Sequence, residues 1–328
     1  MPANLVRNLI VAVIASIAFY GVWVVLAGPG DVWREVQELG FLGWGLILGL
    51  SLFNYLLRFV RWQMYLVSLG YRVPWWPNLR FYLAGFAFTA TPGKVGEAVR
   101  SLYLKRFAVK YTHSIAAFFV ERLVDVVAMV LLSLLTAYVF DEWRWLIGLV
   151  GVLLILLLPA VRSGWLKNVI ARASHRIASV RLQSLATHLL QLLASSGTLL
   201  RAGNLYGGLL LGVLAWAAEG MALYVVVQML GFDISVPLAV GIYGVSILAG
   251  ALSFVPGGLG GTEVVMGALL ILIGVTEPVA ISAVLICRIA TLWFAVAIGL
   301  VVALELELGS GGRYAMVDRK DEEITGLR

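Results

Sequence analysis

The sequence predicts an all-α polytopic membrane protein, on the evidence of its composition, its apolar stretches and its charge pattern. Apolar residues make up 61% of the 328 residues, charged residues make up 13%, and the mean hydropathy is +0.96. Soluble domains are typically about 45–50% apolar and about 25% charged. Because the fraction of surface buried on folding is limited by chain size, this composition excludes a soluble enzyme, a disordered chain and a disulfide scaffold.

Six stretches are apolar and long enough to span a bilayer, which requires roughly 20 residues per helix. The first follows a lone Arg7 as a signal peptide would, but its apolar run is too long and no A-x-A cleavage site follows it. It is therefore predicted to be a retained helix. The predicted spans are approximately 8–27, 41–60, 114–140, 145–161, 204–230 and 278–303.

The distribution of Lys and Arg predicts the orientation in the cytoplasmic membrane. Residues 58–112 hold nine of them and residues 162–203 hold six, whereas residues 28–40 hold one. Because basic loops are retained inside, both termini are predicted to be cytoplasmic. The net charge of +6 then reflects the excess of basic residues in cytoplasmic loops and their contact with anionic lipid. It does not indicate binding of nucleic acid. The segment 162–203 is predicted to form amphipathic helices on the lipid surface, and 305–328 a disordered tail.

Two further apolar segments are predicted to enter the membrane and return to the same side. Both flanks of 79–91 are basic, so this segment is predicted to be a re-entrant hairpin on the cytoplasmic face. Residues 237–276 leave an outer loop and must reach the last span from outside, so they form a hairpin that enters from the opposite face. The two hairpins therefore have opposite orientations.

The hairpins share a motif, which predicts an internal repeat. Each apolar segment ends in P-G-x-[VL]-G with a Glu shortly after it, at 92–96 and at 256–260. Each is followed by a long helix that carries an arginine, Arg122 lying 30 residues beyond Pro92 and Arg288 lying 32 beyond Pro256. The Pro-Gly motif alone could recur by chance in a chain with 35 glycines. The similar spacing of Arg122 and Arg288 from the two prolines, however, supports a repeat independently of the glycines.

The repeats are predicted to be inverted units of a single domain, 1–304, with repeat one at about 5–140 and repeat two at about 145–304. Inverted repeats with broken helices are common in secondary transporters. A proline stops the first half-helix, glycines allow close approach of a ligand, and the N–H groups of the next half-helix favour a bound anion. Irregular backbone at membrane depth implies a polar cavity.

Charged residues inside the spans are functional candidates, because each costs at least about 2.5–3.5 kcal/mol at the bilayer centre. Arg122 lies about 13 Å into its span, and Arg288 lies at a similar depth. A partly free arginine at this depth is suited to a phosphate. The alternative is that these charges only hold helices together. In that case Arg122 pairs with Asp125 at i, i+3, and Arg288 pairs with Glu219. Glu121 is predicted to point about 100° away from Arg122 around the helix.

A polar stripe at the inner end of span 2 has two interpretations. Asn54, Arg58, Arg61 and Tyr65 share one helix face by their spacing, which favours a polar surface that faces the cavity. Alternatively, both arginines snorkel to the interface beside an aromatic belt. The belt residues would be Trp62, Trp75 and Trp76.

No motif for catalysis, a metal or a cofactor is present. The glycine run at 256–261 is not a Walker loop, and the single cysteine, Cys287, excludes a Cys-rich metal site. The protein is therefore predicted not to be an enzyme and to need no cofactor. A membrane transferase with Glu97 or Asp125 as base is a weaker alternative, because no ligand set for a metal or nucleotide sugar accompanies them.

Four stretches resemble the flippase-like transmembrane region of lysylphosphatidylglycerol synthases, over residues 5–305. They are "TPGKVGEAVRSLYLKR", "VERLVD", "VPGGLGGTE" and "CRIATLWFAVAIGL". The resemblance implies movement of a charged or glycosylated lipid between leaflets. The soluble aminoacyl-transferring domain of the fused enzymes would follow the membrane region, but this chain ends 25 residues after its last predicted span, so lipid aminoacylation is not expected. The site residues implied by position are Pro92, Gly93, Gly96, Glu97, Arg100, Glu121, Arg122, Asp125, Pro256, Gly257, Gly258, Gly260, Glu263 and Arg288; Arg58, Arg61, Glu219 and Gly261 complete the candidate substrate site.

The function expected is translocation of an anionic, aminoacylated or glycosylated lipid through the cavity between the hairpins. The alternative is a membrane subunit that presents such a lipid to a separate glycosyl- or aminoacyl-transferase. The expected partners are membrane lipids and, in the alternative, that transferase. The sequence does not define the oligomeric state.

Overall fold

The computed structural model describes residues 20–21, 24–25, 28–89, 97–138, 145, 148–149, 152, 197–253 and 255–308. Regular structure in these ranges is helical throughout, which confirms the predicted all-α class. The first Pro-Gly motif (Pro92, Gly93 and Gly96) lies outside the described residues. So do nearly all of spans 8–27 and 145–161, most of the insert 162–203, and all but the first four residues of the tail.

Nine α-helices are numbered here in chain order within the described residues. Of these, α2, α6 and α9 are long and apolar enough to cross a membrane. Helix α5 is about 34 Å long but carries three charges in its middle. The prediction of a membrane protein is thus supported, and the count of six spans stays a prediction. The helices are α1 Pro29–Glu38, α2 Gly40–Ser68, α3 Trp75–Gly85, α4 Arg100–Leu104, α5 Tyr111–Ser133, α6 Ala202–Met229, α7 Val236–Leu252, α8 Gly261–Leu272 and α9 Glu277–Leu308.

The first predicted hairpin folds back on itself. Helix α3 ends at Gly85, where an added Cβ would lie 3.2 Å from the carbonyl oxygen of Glu97 on the returning chain. Before the hairpin, the Tyr71 hydroxyl accepts a hydrogen bond from the backbone N–H of Lys110, which lies after it. The chain therefore returns to the level at which it left, as a re-entrant segment requires.

The second hairpin consists of α7 and α8, which pack closely. An added Cβ at Gly261 would lie 3.1 Å from the Ala249 carbonyl oxygen, so a side chain there would require the backbones to separate by a few tenths of an ångström. The connecting turn needs positive φ at Gly257 (67°), Gly258 (69°) and Gly260 (82°), values that residues with a side chain rarely adopt. The glycines of the second motif therefore build the turn between the half-helices.

Helix α6 lies at the centre of the bundle and packs on α2, α5 and α7. Small residues permit this packing, because an added Cβ at Gly220 would lie 2.6 Å from the Val240 Cα and one at Gly212 would lie 2.8 Å from Nη1 of Arg61. A hydrogen bond from Asn54 Nδ2 to the Ala215 carbonyl (2.7 Å) also joins α2 to α6. The close contacts bring polar groups of α2, α5 and α6 together.

Candidate functional site

The carboxylate of Asp125 lies at the centre of a buried ionic cluster. Arg61 Nη2 donates a hydrogen bond to Asp125 Oδ1 at 2.6 Å, and the indole Nε1 of Trp216 donates to the same oxygen at 3.0 Å. Arg61 is 0% exposed and Asp125 is 2% exposed. Nη2 of Arg122 lies 3.0 Å from the second oxygen of Asp125, which confirms the predicted i, i+3 pair.

Glu121 belongs to the same cluster, contrary to the prediction that it points away from Arg122. Its Oε1 accepts a hydrogen bond from Tyr82 at 2.7 Å and lies 3.4 Å from Nη2 of Arg122. Its other oxygen accepts a hydrogen bond from Arg100, whose guanidinium stacks 3.7 Å from the ring centre of Trp62. The Cβ atoms of Glu121 and Arg122 point in directions about 100° apart, but the arginine side chain is long enough to reach the carboxylate.

The polar stripe on α2 faces the protein interior, so the snorkelling interpretation is wrong. Arg61 and Tyr65 are 0% exposed because the glycine-lined face of α6 covers them, and Arg58 is 4% exposed because it packs against the rings of Phe86 and Trp216. Trp62 is also fully buried and therefore does not belong to an aromatic belt, whereas Trp75 and Trp76 are 48% and 66% exposed. Burial of both α2 arginines places their charges beside the carboxylates of α5.

A second cluster forms around Arg288. Its Nε donates to Glu263 Oε1 at 2.7 Å, its Nη2 donates to the carbonyl of Gly257 at 2.6 Å, and the Tyr20 hydroxyl donates to the same Glu263 oxygen at 2.6 Å. Glu263, rather than the predicted Glu219, is therefore the carboxylate that fixes the Nε edge of Arg288. This contact ties α9 to the start of α8.

A π-helical turn, Ile289–Trp293, directly follows Arg288 in α9. Turns of this kind are rare, and they often occur at functional sites. The Tyr55 hydroxyl of α2 donates to the Thr291 carbonyl within this turn at 2.6 Å. The π-helical turn of α9 thus lies directly beside Arg288 of the second cluster.

The two clusters contain ion pairs at the same sequence spacing. Glu263 and Arg288 are 25 positions apart, and so are Glu97 and Arg122, whose charged atoms lie 3.7 Å apart. In both pairs the glutamate follows a Pro-Gly motif and the arginine lies within the next long helix. Sequence spacing from the prolines alone did not show that these residues contact each other.

Arg122 and Arg288 line one cavity of about 210 Å³. Arg122 is 19% exposed, and its Nε has no hydrogen-bond partner among the described residues, whereas its Nη2 lies 3.0 Å from Asp125. Nε and Nη2 of Arg288 both donate hydrogen bonds. Gly257 and Gly258 contribute backbone to the wall, which apolar side chains of α5, α7 and α9 complete. Gly260 and Gly261 lie at the start of α8, whose first N–H groups have no partner within the helix. The remaining polar lining residues are Asp125, Trp216 and Thr262.

A second cavity of about 40 Å³ lies next to the first and shares Trp216, Ile247, Arg288 and Leu292 with it. It adds Arg58 and Glu219 to the polar lining, and Glu219 accepts a long hydrogen bond (3.5 Å) from Tyr243. The two cavities together connect the α2 stripe, the α5 cluster and the second hairpin. In chemical terms the arrangement offers guanidinium donors for an anion.

Several site residues were not singled out from the sequence. Trp216 holds Asp125, Tyr82 holds Glu121, and Tyr20 holds Glu263. Each aromatic residue is one of many in an apolar stretch, and no motif or spacing distinguishes it. Only the tertiary packing identifies its partner. In the described part of the chain, no group of three His, Cys, Asp or Glu side chains is arranged to hold a metal.

Comparison with known proteins gives relatives that are named as membrane proteins. A UPF0104 membrane protein of Methanothermobacter thermautotrophicus is 36% identical over 90 residues, which is 27% of each chain. A UPF0104 membrane protein of Pyrococcus horikoshii is 25% identical over 274 residues, covering 75% of this chain and 82% of the relative. Another UPF0104 protein of M. thermautotrophicus is 25% identical over 248 residues, or 68% and 72% of the two chains. The profile of the lysylphosphatidylglycerol synthase TM region matches residues 10–299, and the chain therefore belongs to that family of membrane proteins.

Proposed function

We propose that the protein translocates an anionic lipid between the two leaflets of the membrane. The observation that carries this proposal is the cavity lined by both Arg122 and Arg288, in which Nε of Arg122 has no hydrogen-bond partner among the described residues. Buried arginines are costly in a bilayer and suit a two-pronged contact with phosphate. The head group would occupy the cavity while its acyl chains remain in lipid.

The equivalent ion pairs support a mechanism in which the two repeats move against each other. Arg288 and Glu263 are in direct contact at 2.7 Å, whereas Arg122 and Glu97 are 3.7 Å apart. One pair is thus closed while the corresponding pair is more open. In transporters with inverted repeats, exchange of the two conformations exposes the site alternately to the two sides. The bound phosphate would replace a carboxylate on each arginine in turn.

The proposal is tested by leaflet-specific labelling of anionic lipid in proteoliposomes that contain the full chain. Arg122→Gln and Arg288→Gln remove the charge but keep a polar, shorter side chain, and we expect either to lower the translocation rate by about tenfold or more, the effect of losing about 1.4 kcal/mol of binding. The control is Arg80→Gln, because Arg80 makes a partly exposed pair with Glu305 at 2.7 Å outside the cavity. Its rate should equal that of the wild type.

Two outcomes would contradict the proposal. A wild-type rate equal to that of empty vesicles would exclude translocation, and if lipid still bound, it would favour presentation of the lipid to a transferase. Wild-type rates in both cavity variants would remove these arginines from the mechanism.

A further inference from the structure

Glu97 is held less directly than the other buried carboxylates of the first cluster. Its Oε1 accepts a hydrogen bond from Thr89 at 3.1 Å, but its Oε2 has no donor within the described residues. That oxygen lies 3.7 Å from the guanidinium groups of both Arg58 and Arg122, and the residue is 1% exposed. Charge-assisted hydrogen bonds from arginine hold Glu121, Asp125 and Glu263.

The charges around the two cavities balance in the described part of the chain. A phosphate that enters would therefore add a negative charge to a neutral and largely buried set of groups. A buried charge without compensation is strongly unfavourable, and protonation of a carboxylate restores the balance. The groups concerned are Arg58, Arg61, Arg100, Arg122, Arg288, Glu97, Glu121, Asp125, Glu219 and Glu263.

Arg122 links the cavity to Glu97. It lines the cavity and also lies within 3.7 Å of the unpartnered carboxylate oxygen. A phosphate bound to Arg122 would compete with Glu97 for its charge, and loss of a nearby positive charge favours the protonated carboxyl. The described ionisable groups that face Glu97 from the packed helices are Arg58 on α2, Tyr82 on α3 and Arg122 on α5.

The cavity has room for a phosphate with a small substituent, at about 210 Å³. A compact phosphodiester therefore fits both the volume and the guanidinium donors.

Building on the proposed translocation, we propose that the cavity binds one phosphodiester lipid head group together with one proton, which Glu97 accepts. The lipid brings one negative charge, the proton brings one positive charge, and the buried set stays neutral. The proton enters with the head group and leaves with it on the other side, so a proton gradient drives net movement of the lipid.

The test measures proton uptake when dioctanoyl phosphatidylglycerol binds the full chain in a weakly buffered detergent solution with a pH indicator. This probe keeps one phosphodiester charge between about pH 5.5 and 8.5, so that a change in its own ionisation does not contribute. We expect about one proton per lipid bound. Because the complex then binds one more proton than the free protein, the Kd should fall about tenfold for each unit that the pH is lowered.

Two variants separate Glu97 from other carboxylates. Glu97→Gln mimics the protonated side chain, so it should bind the lipid without proton uptake and with a Kd that does not depend on pH. Glu305→Gln changes an exposed carboxylate outside the cavity and should keep both the uptake and the pH dependence. Because the wild-type uptake is measured directly, the test of proton coupling does not depend on whether Glu97→Gln folds, while the assignment to Glu97 is tested by the variant.

The possible results distinguish this inference from the proposed function. Lipid binding without proton uptake would overturn the coupling and leave translocation in place. Absence of both binding and translocation would overturn the proposed function itself. Inorganic phosphate that binds as tightly as the lipid would contradict the assignment to a lipid and indicate a site for the free anion.

Discussion

Arg61→Ala is expected to lower the free energy of unfolding by about 3–5 kcal/mol, because it leaves the buried carboxylate of Asp125 without its shortest ion pair. Arg61 is fully buried, and its Nη2 also lies 3.6 Å from Glu121. Arg122 remains 3.0 Å from the other oxygen of Asp125, so the loss comes from the contacts of Arg61 alone. The measurement is reversible unfolding of the full chain in mixed micelles, followed by tryptophan fluorescence.

The matched control is Arg80→Ala, which breaks a surface pair whose side chains are 30% and 63% exposed. Such pairs contribute about 0–1 kcal/mol. The double variant Arg61→Ala with Asp125→Ala should cost less than the sum of the single variants, since it removes both charges of one pair. If Arg61→Ala lowered the free energy of unfolding no more than Arg80→Ala does, the description of a buried ionic cluster would be contradicted.

Gly299→Ala is expected to destabilise the protein by about 3 kcal/mol, the upper end of the usual cost of overpacking. Gly299 lies on α9 against the end of the first hairpin. An added methyl group would overlap the backbone nitrogen of Ala87 and lie 2.6 Å from the carbonyl carbon of Phe86. Backbone atoms cannot rotate away as a side chain can, so α9 and the hairpin must separate. The same unfolding experiment measures the loss.

Gly49→Ala is the control for this substitution. Gly49 lies inside α2, and an added Cβ there meets nothing within 4 Å. Alanine should therefore stabilise the helix by about 0.5–1 kcal/mol, through its lower conformational entropy in the unfolded chain. If Gly299→Ala behaved like Gly49→Ala, the close packing of the first hairpin on α9 would be wrong.

The sequence predicted the residue types of the site well, because charges and Pro-Gly turns are conspicuous in an apolar chain. Glu97, Arg122, Glu263 and Arg288 were all identified from such motifs, and the structure brings each glutamate to its arginine. The spacing also placed Asn54, Arg58, Arg61 and Tyr65 on one face of α2. Helical periodicity defines a face, however, and does not say what covers it.

The partners of these residues required the tertiary structure. Burial of Arg61 depends on Gly212, a residue of α6 about 150 positions away whose missing side chain leaves room for the guanidinium. Likewise, the contact of Arg288 with Glu263 depends on the turn at Gly257, which sets the distance between α8 and α9. Small residues that create space have no pattern by which sequence alone pairs them with a charge.

The central claim is that the two hairpins enter the membrane from opposite faces, the second lining the larger cavity and the first reaching the smaller one at Phe86 and Thr89. Single cysteines at Lys105, after the first hairpin, and at Thr276, after the second, report their sides because both positions are exposed. Cys287 is the only cysteine of the chain and is buried, so a Cys287→Ala background removes it. With a membrane-impermeant maleimide, we predict that Lys105→Cys reacts from the cytoplasmic side and Thr276→Cys from the outer side. Reaction of both from the same side would contradict the account.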